Sequence, residues 1–278
     1  MKKLIALVTC MIILCACFGV AAIAEADVLS AEVSVSIANK GNLVVANEKI
    51  TVTDIDNDGL LTLNDALYAA HDAKYDGGAA DGYYSYTSEQ YGLSLGKLWG
   101  DDSGSFGYYK NNTSALSLGE KIEGGDCIYA YLYADTEYWS DSYSYFDKNE
   151  VSSDAGSAVS LTLFASGYDA DWNPVTVAVE GATITIDGTA TEIKTDANGK
   201  ADIVIDKAGT YVISATSENA VLVPPVCILT VNSANSNPDD SDIPDAGDAT
   251  SNIIYIIIAI VSIMGIYAVS TIKKTNEN

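Results

Sequence analysis

Arginine is absent from this chain of 278 residues, and histidine occurs once. All 14 basic residues are therefore lysine, set against 38 aspartates and glutamates for a formal net charge of −24. A surface so acidic repels phosphate backbones and offers few of the cations whose counterion release drives nucleic-acid binding, so nucleic acid is excluded as a partner. The scarcity of histidine also removes most catalytic options. His71 falls in a helical pattern without a Ser or Cys motif beside it and reads as a helix-surface or boundary residue. A sulfur nucleophile needs a base to activate it, and Cys127 falls on a strand that reads as core. Carboxylate pairs such as Asp101-Asp102 say nothing about acid and base roles in a chain this acidic. The protein is therefore expected not to be an enzyme. What is plentiful is apolar: 48% of residues are hydrophobic and 18 are tyrosine, far too much for a disordered acidic tail.

Two hydrophobic runs bracket the rest. Met1-Lys2-Lys3, an apolar run over residues 4–22, and small residues at Ala22, Ala24 and Ala26 have the layout of a secretory signal over 1–26, with cleavage after Ala24 or Ala26. Leu14-Cys15-Ala16-Cys17 resembles a bacterial lipobox, which would make Cys17 the lipidated residue. Residues 253–272 carry no charge. At about 1.5 Å per residue they span the roughly 30 Å core of a bilayer. Lys273 and Lys274 open the tail over 273–278 and hold that end in the cytoplasm. The expected location is thus the cell surface, as a single-pass membrane protein with its bulk outside. Residues 232–252 read as a flexible linker rich in Ser, Asn, Asp and Pro. Within it, Ile243-Pro244-Asp245-Ala246-Gly247 resembles the sortase sorting signal of Gram-positive cell-wall proteins. Ala246 stands where that signal has the threonine whose carbonyl is attacked, so wall linkage and retention by the helix alone both stay open. Cys10, Cys15 and Cys17 lie in the signal, leaving Cys127 and Cys227 as two buried thiols or a bridge.

Between the ends the pattern is that of strands. Residues 33–37, 43–45 and 50–52 alternate apolar and polar side chains, and Asn39-Lys40-Gly41-Asn42 supplies a turn, so a small antiparallel unit comes first. Leu63–Lys74 changes to helical spacing, with Leu63, Leu67 and Ala70 on one side and Thr62 and Asp65 placed as a capping box. Gly77-Gly78, Gly82, Gly92 and Gly96 mark a turn-rich stretch. Strands return at Phe106–Lys110 and over 127–134. In the second, Ile128, Ala130 and Leu132 suit a core, while Tyr129, Tyr131 and Tyr133 could cover a helix or meet a ligand. From Ala158 onward short β-branched segments separated by Asp187-Gly188 and Asp196-Ala197-Asn198-Gly199 predict a sandwich.

One motif is chemically sharp. Asp54, Asp56, Asp58 and Asp65 occupy positions 1, 3, 5 and 12 of a twelve-residue calcium loop, with Gly59 at the sharp turn. Calcium takes six to eight hard oxygens, and the loop offers these four carboxylates, the Leu60 carbonyl and Thr62 directly or through water. The expected cofactor is Ca2+ in a structural role, with an acidic turn free of metal as the alternative. A strand ahead of the loop and an aspartate at its end make it resemble a dockerin loop, although dockerins carry two.

Three further stretches, Leu63-Asn64-Asp65-Ala66-Leu67, Ser105-Phe106-Gly107-Tyr108-Tyr109-Lys110-Asn111-Asn112 and Gly124-Gly125-Asp126-Cys127-Ile128-Tyr129-Ala130-Tyr131, resemble the small β-rich C-terminal domain of transcobalamin-type corrinoid carriers. That domain recurs as a module in Gram-positive surface proteins. The turns around Thr195-Asp196-Ala197-Asn198-Gly199-Lys200 and Ala208-Gly209-Thr210-Tyr211 resemble bacterial immunoglobulin-like repeats, which are mostly spacers. The expected fold is mainly β: an α+β, tyrosine-rich domain over 27–152, an Ig-like sandwich over 153–231, and a C-terminal transmembrane helix. The expected function is a surface-displayed, non-enzymatic binding or adhesion module stabilised by calcium, with extracellular glycan, protein or small-molecule partners. Trp99, Tyr108, Tyr109 and Trp139 are the candidate ligand contacts, because exposed planar rings suit stacking on sugars or flat compounds. The alternative is a receptor that captures a small ring compound such as a corrinoid.

Overall fold

The computed structural model describes residues 29–103, 106–171 and 173–233. Strand β1 (Ser30–Asn39) turns into β2 (Asn42–Thr53) through Lys40 and Gly41, both at positive φ. That is the backbone of the tight turn that matches a right-twisted hairpin. The segments 43–45 and 50–52, separate in the alternation pattern, are parts of this one strand. Asn47 bulges out at φ 48° and its N–H donates to Ser36 Oγ at 2.9 Å.

Helix α1 (Leu63–Lys74) starts where the sequence predicts it. Thr62 accepts the Asp65 N–H, and the Asp65 carboxylate accepts the Thr62 N–H in return. Its apolar side, Leu63, Ala66, Leu67 and Ala70, packs on the first sheet, chiefly on β2, in one core with Val33, Val35, Ile37, Ile50 and Val52. A short helix α2 (Gly78–Gly82) follows, and then a hairpin of β3 (Tyr84–Ser88) and β4 (Gly92–Lys97), two strands inside the stretch that glycine spacing marks only as turns. β5 (Phe106–Lys110), β6 (Thr113–Ser114) and β7 (Cys127–Leu132) complete a five-stranded sheet of order β2-β1-β7-β5-β6, with β7 parallel to β1. Ile128, Ala130 and Leu132 of β7 join the core beneath α1, as their face predicts.

The second half is a sandwich, and the described chain is mainly β. One sheet contains β8 (Ser142–Phe146), β10 (Ala158–Tyr168), β11 (Pro174–Ala178), β14 (Lys200–Val204) and β16 (Leu222–Val223). The other runs in the order β13-β12-β15-β17-β9, from β9 (Glu150–Asp154), β12 (Thr183–Ile186), β13 (Thr189–Lys194), β15 (Gly209–Thr216) and β17 (Cys227–Asn232). Leu161, Leu163, Ile184, Ile203, Ile213 and Leu229 fill the space between them. β8 and most of β9 precede residue 153, so Tyr143, Tyr145 and Phe146 belong to the sandwich rather than to the aromatic first half in which the sequence pattern groups them.

The two halves share a third core. Ala38, Tyr129 and Tyr131 from the first sheet pack with Tyr143, Val223 and Val226. The Tyr109 and Tyr143 rings lie 3.7 Å apart with planes within 9°. Tyr129 donates its hydroxyl to the Pro224 carbonyl at 2.6 Å, and Tyr143 donates to Asn112 Oδ1 at 2.9 Å. The tyrosine face of β7 therefore covers neither a helix nor a ligand over most of its length; it covers the neighbouring sandwich. This explains why Ser34 and Ser36 are buried although their alternation predicts a wet face. Their hydroxyls accept bonds from Lys49 Nζ and the Asn47 N–H.

Among the described residues no helix is long and apolar enough to cross a membrane. The expected signal with Cys17, the motif from Ile243 to Gly247, the span over 253–272 and the tail all lie outside the described residues.

Candidate binding surface and acidic loop

The loop before α1 gathers three of the predicted metal ligands. Carboxylate oxygens of Asp54, Asp56 and Asp58 lie within 4.8 Å of one another. Gly59 at φ 83° makes the sharp turn, and its N–H donates to Asp54 Oδ2 at 2.8 Å. Desolvation works against the charge on Asp54, but N–H donors from Gly59, Asn57 and Asp58 outweigh it and hold this carboxyl below the usual range. Asp56 is pushed up by desolvation and by the Asp58 charge. Three hard oxygen donors in mutual repulsion suit a hard cation. Asp65 stands apart from the triad. Its oxygens accept from Ile55 N–H, Thr62 N–H and the Thr62 hydroxyl, so Asp65 and Thr62 serve the helix cap. Leu60 donates its N–H to Asp58 Oδ1 at 2.8 Å.

His71 corrects the surface reading: it is fully buried. Its Nε2 accepts the Trp99 N–H at 3.0 Å, so the proton sits on Nδ1, which donates to the Leu67 carbonyl at 2.6 Å. Burial lowers its pKa to about 4. The missed signal is the ring set of Tyr75, Tyr83 and Trp99 that closes over it.

The four predicted ligand contacts do not form one patch. Trp99 packs against the first core, 5.1 Å from Tyr75 in an edge contact. Tyr108 and Tyr109 are neighbours on β5 and turn to opposite faces, Tyr108 to the first core and Tyr109 to the tyrosine seam. Trp139 is 59% exposed on the loop after β7, where its Nε1 donates to the Thr136 carbonyl. Its ring lies 5.9 Å from Tyr133. Tyr108 and Tyr109 do meet in a cleft of about 380 Å³ at the outer edge of the first sheet, together with Tyr91, Phe106, Tyr131 and Tyr133. Ser94 and Ser114 add hydroxyls to its wall. Tyr131 and Tyr133, whose face left cover by a helix or contact with a ligand both open, reach the cleft because β5 pairs antiparallel with β7, which the sequence does not state.

The two described cysteines are free thiols. Cys127 is half-buried with the Asn149 amide at 2.7 Å, and burial raises its pKa. Burial pushes buried Cys227 up to about 12.

No protein-family model matches the chain, and no curated protein matches it. Among solved structures it is similar to the ectodomain of a teleost fish polymeric Ig receptor, at 10% identity and a TM-score of 0.19 over 54% of this chain and 72% of that one. The four N-terminal Ig domains of Dscam1 align at 10% identity and a TM-score of 0.22, over 73% of this chain and 44% of that one. A Bacteroides ovatus protein, SGBP-B of a mixed-linkage glucan utilization locus in complex with a heptasaccharide, aligns at 9% identity and a TM-score of 0.17, over 55% and 65%. Scores this low carry no argument about function.

Proposed function

We propose that the chain is a non-enzymatic binding module displayed at the cell surface, which offers its aromatic cleft to an extracellular ligand. The observation that carries this reading is the cleft itself: six aromatic side chains converge on about 380 Å³ of open space, with serine hydroxyls beside them. Its wall mixes aromatic rings with polar groups, and placed polar groups beside rings are what fix a ligand's orientation in such sites. Groups that could support catalysis are disarmed. His71 is locked as the neutral tautomer inside the core, and both thiols are raised in pKa.

Surface display follows from the acidic composition and from the sequence of the two ends, and sortase linkage at Ile243 to Gly247 would be one form of it. Calcium bound by Asp54, Asp56 and Asp58 would neutralise their repulsion and fix the loop that leads into α1. Exposed aromatic residues test the cleft without disturbing the fold. Binding found in a screen of glycans and ring compounds should fall when Tyr91, the exposed ring of the cleft wall, is replaced by Ala, and unaltered binding would reject the cleft as the site.

The concavity of the cleft favours a second reading, capture of a small ring compound. Its volume lies near the lower end of the range of about 300–1,000 Å³ for small-ligand pockets. It would therefore suit a compound smaller than a corrinoid macrocycle.

A further inference from the structure

The hairpin beside the cleft carries aromatic surface that the packing of the molecule does not use. Tyr84 and Tyr86 stand two residues apart on β3, so the period of a strand sends both to one side. They are 57% and 45% exposed, and Tyr91 in the following turn is 62% exposed. The two rings have planes within 18° of each other and centroids 6.4 Å apart. Gly96 on the partner strand explains how they are held. A Cβ there would sit 2.7 Å from Tyr84 Cδ1 and 3.1 Å from Tyr86 Cδ1, so the rings occupy the place of its side chain. Rings fixed against backbone lose little freedom on binding, and clustered exposed aromatic surface marks interaction sites.

This pair runs into the cleft. Tyr86 lies opposite Ser94 in the hairpin register, and both Ser94 and Tyr91 line the cleft. Three features define a guest for the combined surface. The faces of aromatic rings carry negative charge density, which attracts the slightly positive C–H groups of a sugar ring. Ser94 and Ser114 line the cleft; the Ser94 hydroxyl donates to the Gly92 carbonyl at 3.3 Å and keeps its lone pairs to accept from a sugar hydroxyl. No lysine is among the lining residues, and Lys97 of the hairpin turns its amine to the Asp81 carbonyl at 3.5 Å. With a net charge of −24 and no cation at the site, an anionic polymer is repelled.

We propose that Tyr84 and Tyr86 together with the cleft form one continuous track for an uncharged oligosaccharide chain, the tyrosine pair stacking on sugar rings outside the cleft. This rests on the reading of the cleft as a ligand site. The test is retention of the detergent-solubilised full chain on immobilised polysaccharides. Neutral galactomannan, xyloglucan and laminarin are compared with anionic polygalacturonate and cationic glycol chitosan. At least one neutral polymer should retain the protein. The Tyr84→Ala plus Tyr86→Ala variant should bind it about tenfold more weakly, and Gly96→Val should reproduce that loss with both rings still present. Circular dichroism and melting unchanged from the parent protein show that the variants fold. Retention that survives the double replacement but is lost in Tyr91→Ala overturns the track and leaves the cleft as a binding site. Retention on a charged polymer alone, or on none, overturns the assignment to neutral glycans.

Discussion

Tyrosine does two opposite jobs in this molecule. In the seam, Tyr129, Tyr131 and Tyr143 are almost wholly buried and fasten the first sheet to the sandwich. On the hairpin, Tyr84 and Tyr86 lie open to solvent on a strand of the same first half. Residue type and alternation are alike in both regions. The difference lies in what the fold sets opposite each strand: β7 faces the second half, and the outer side of β3 faces water. A tyrosine-rich strand therefore reports a face that wants cover, and tertiary arrangement decides whether protein or ligand supplies it.

Truncation should separate the two regions most clearly. Tyr143→Ala removes a buried ring, three ring contacts and the bond to Asn112, and should cost about 3–5 kcal/mol, read as a fall in the denaturation midpoint. Tyr84→Ala should change stability by no more than about 0.5 kcal/mol. Equal effects would erase the distinction between seam and hairpin.

Mild acid, between pH 6.5 and 4, probes the buried His71 of the first half. His71 has a folded-state pKa of about 4 against an ordinary 6.5. The unfolded chain binds a proton that the native state refuses, so this contribution is complete above pH 6.5 and drains away as the pH falls toward 4, by about 3 kcal/mol. Urea midpoints for the protein and for His71→Gln should converge as the pH falls through that window. Parallel curves would place the acid sensitivity elsewhere.

A smaller effect is expected at the acidic loop. Calcium in about tenfold excess over its dissociation constant should stabilise the protein by about 1–2 kcal/mol. Replacing Asp54 and Asp58 by Ala should abolish the drop in melting temperature caused by chelator, and a chelator response that persists would remove the metal from this loop. The Lys49–Glu150 ion pair, 2.7 Å between strands of the two halves, is half exposed at both side chains. Lys49→Ala should cost less than about 1 kcal/mol, so a loss as large as that of Tyr143→Ala would shift the strength of the seam from rings to charges.

Local features were the most legible in the sequence. The limits of α1, its Thr62 and Asp65 cap, the turn at Lys40-Gly41 and most sandwich strands depend on neighbours within a few residues, and side-chain chemistry states them directly. The spacing of Asp54, Asp56 and Asp58 likewise predicted their convergence. Pairings across long separations were illegible. That β7 lies parallel to β1, that Tyr143 crosses to stack on Tyr109, and that His71 accepts the Trp99 N–H are properties of the assembled fold. The hairpin over residues 84–97 was hidden for a different reason: Gly92 and Gly96 read as breaks, whereas Gly92 sits at the turn and Gly96 makes room for two rings.

The position of β17 has a mechanical consequence. It pairs in parallel with β9, from Ile228 beside Glu150 to Asn232 beside Asp154. A parallel pair places the entry of one strand and the exit of the other at opposite ends of the ladder. Tension between the first half and anything attached beyond Asn232 would load every rung of that ladder together, in shear, instead of peeling the rungs apart in turn. The module would then resist extension while its cleft is under load from a captured ligand.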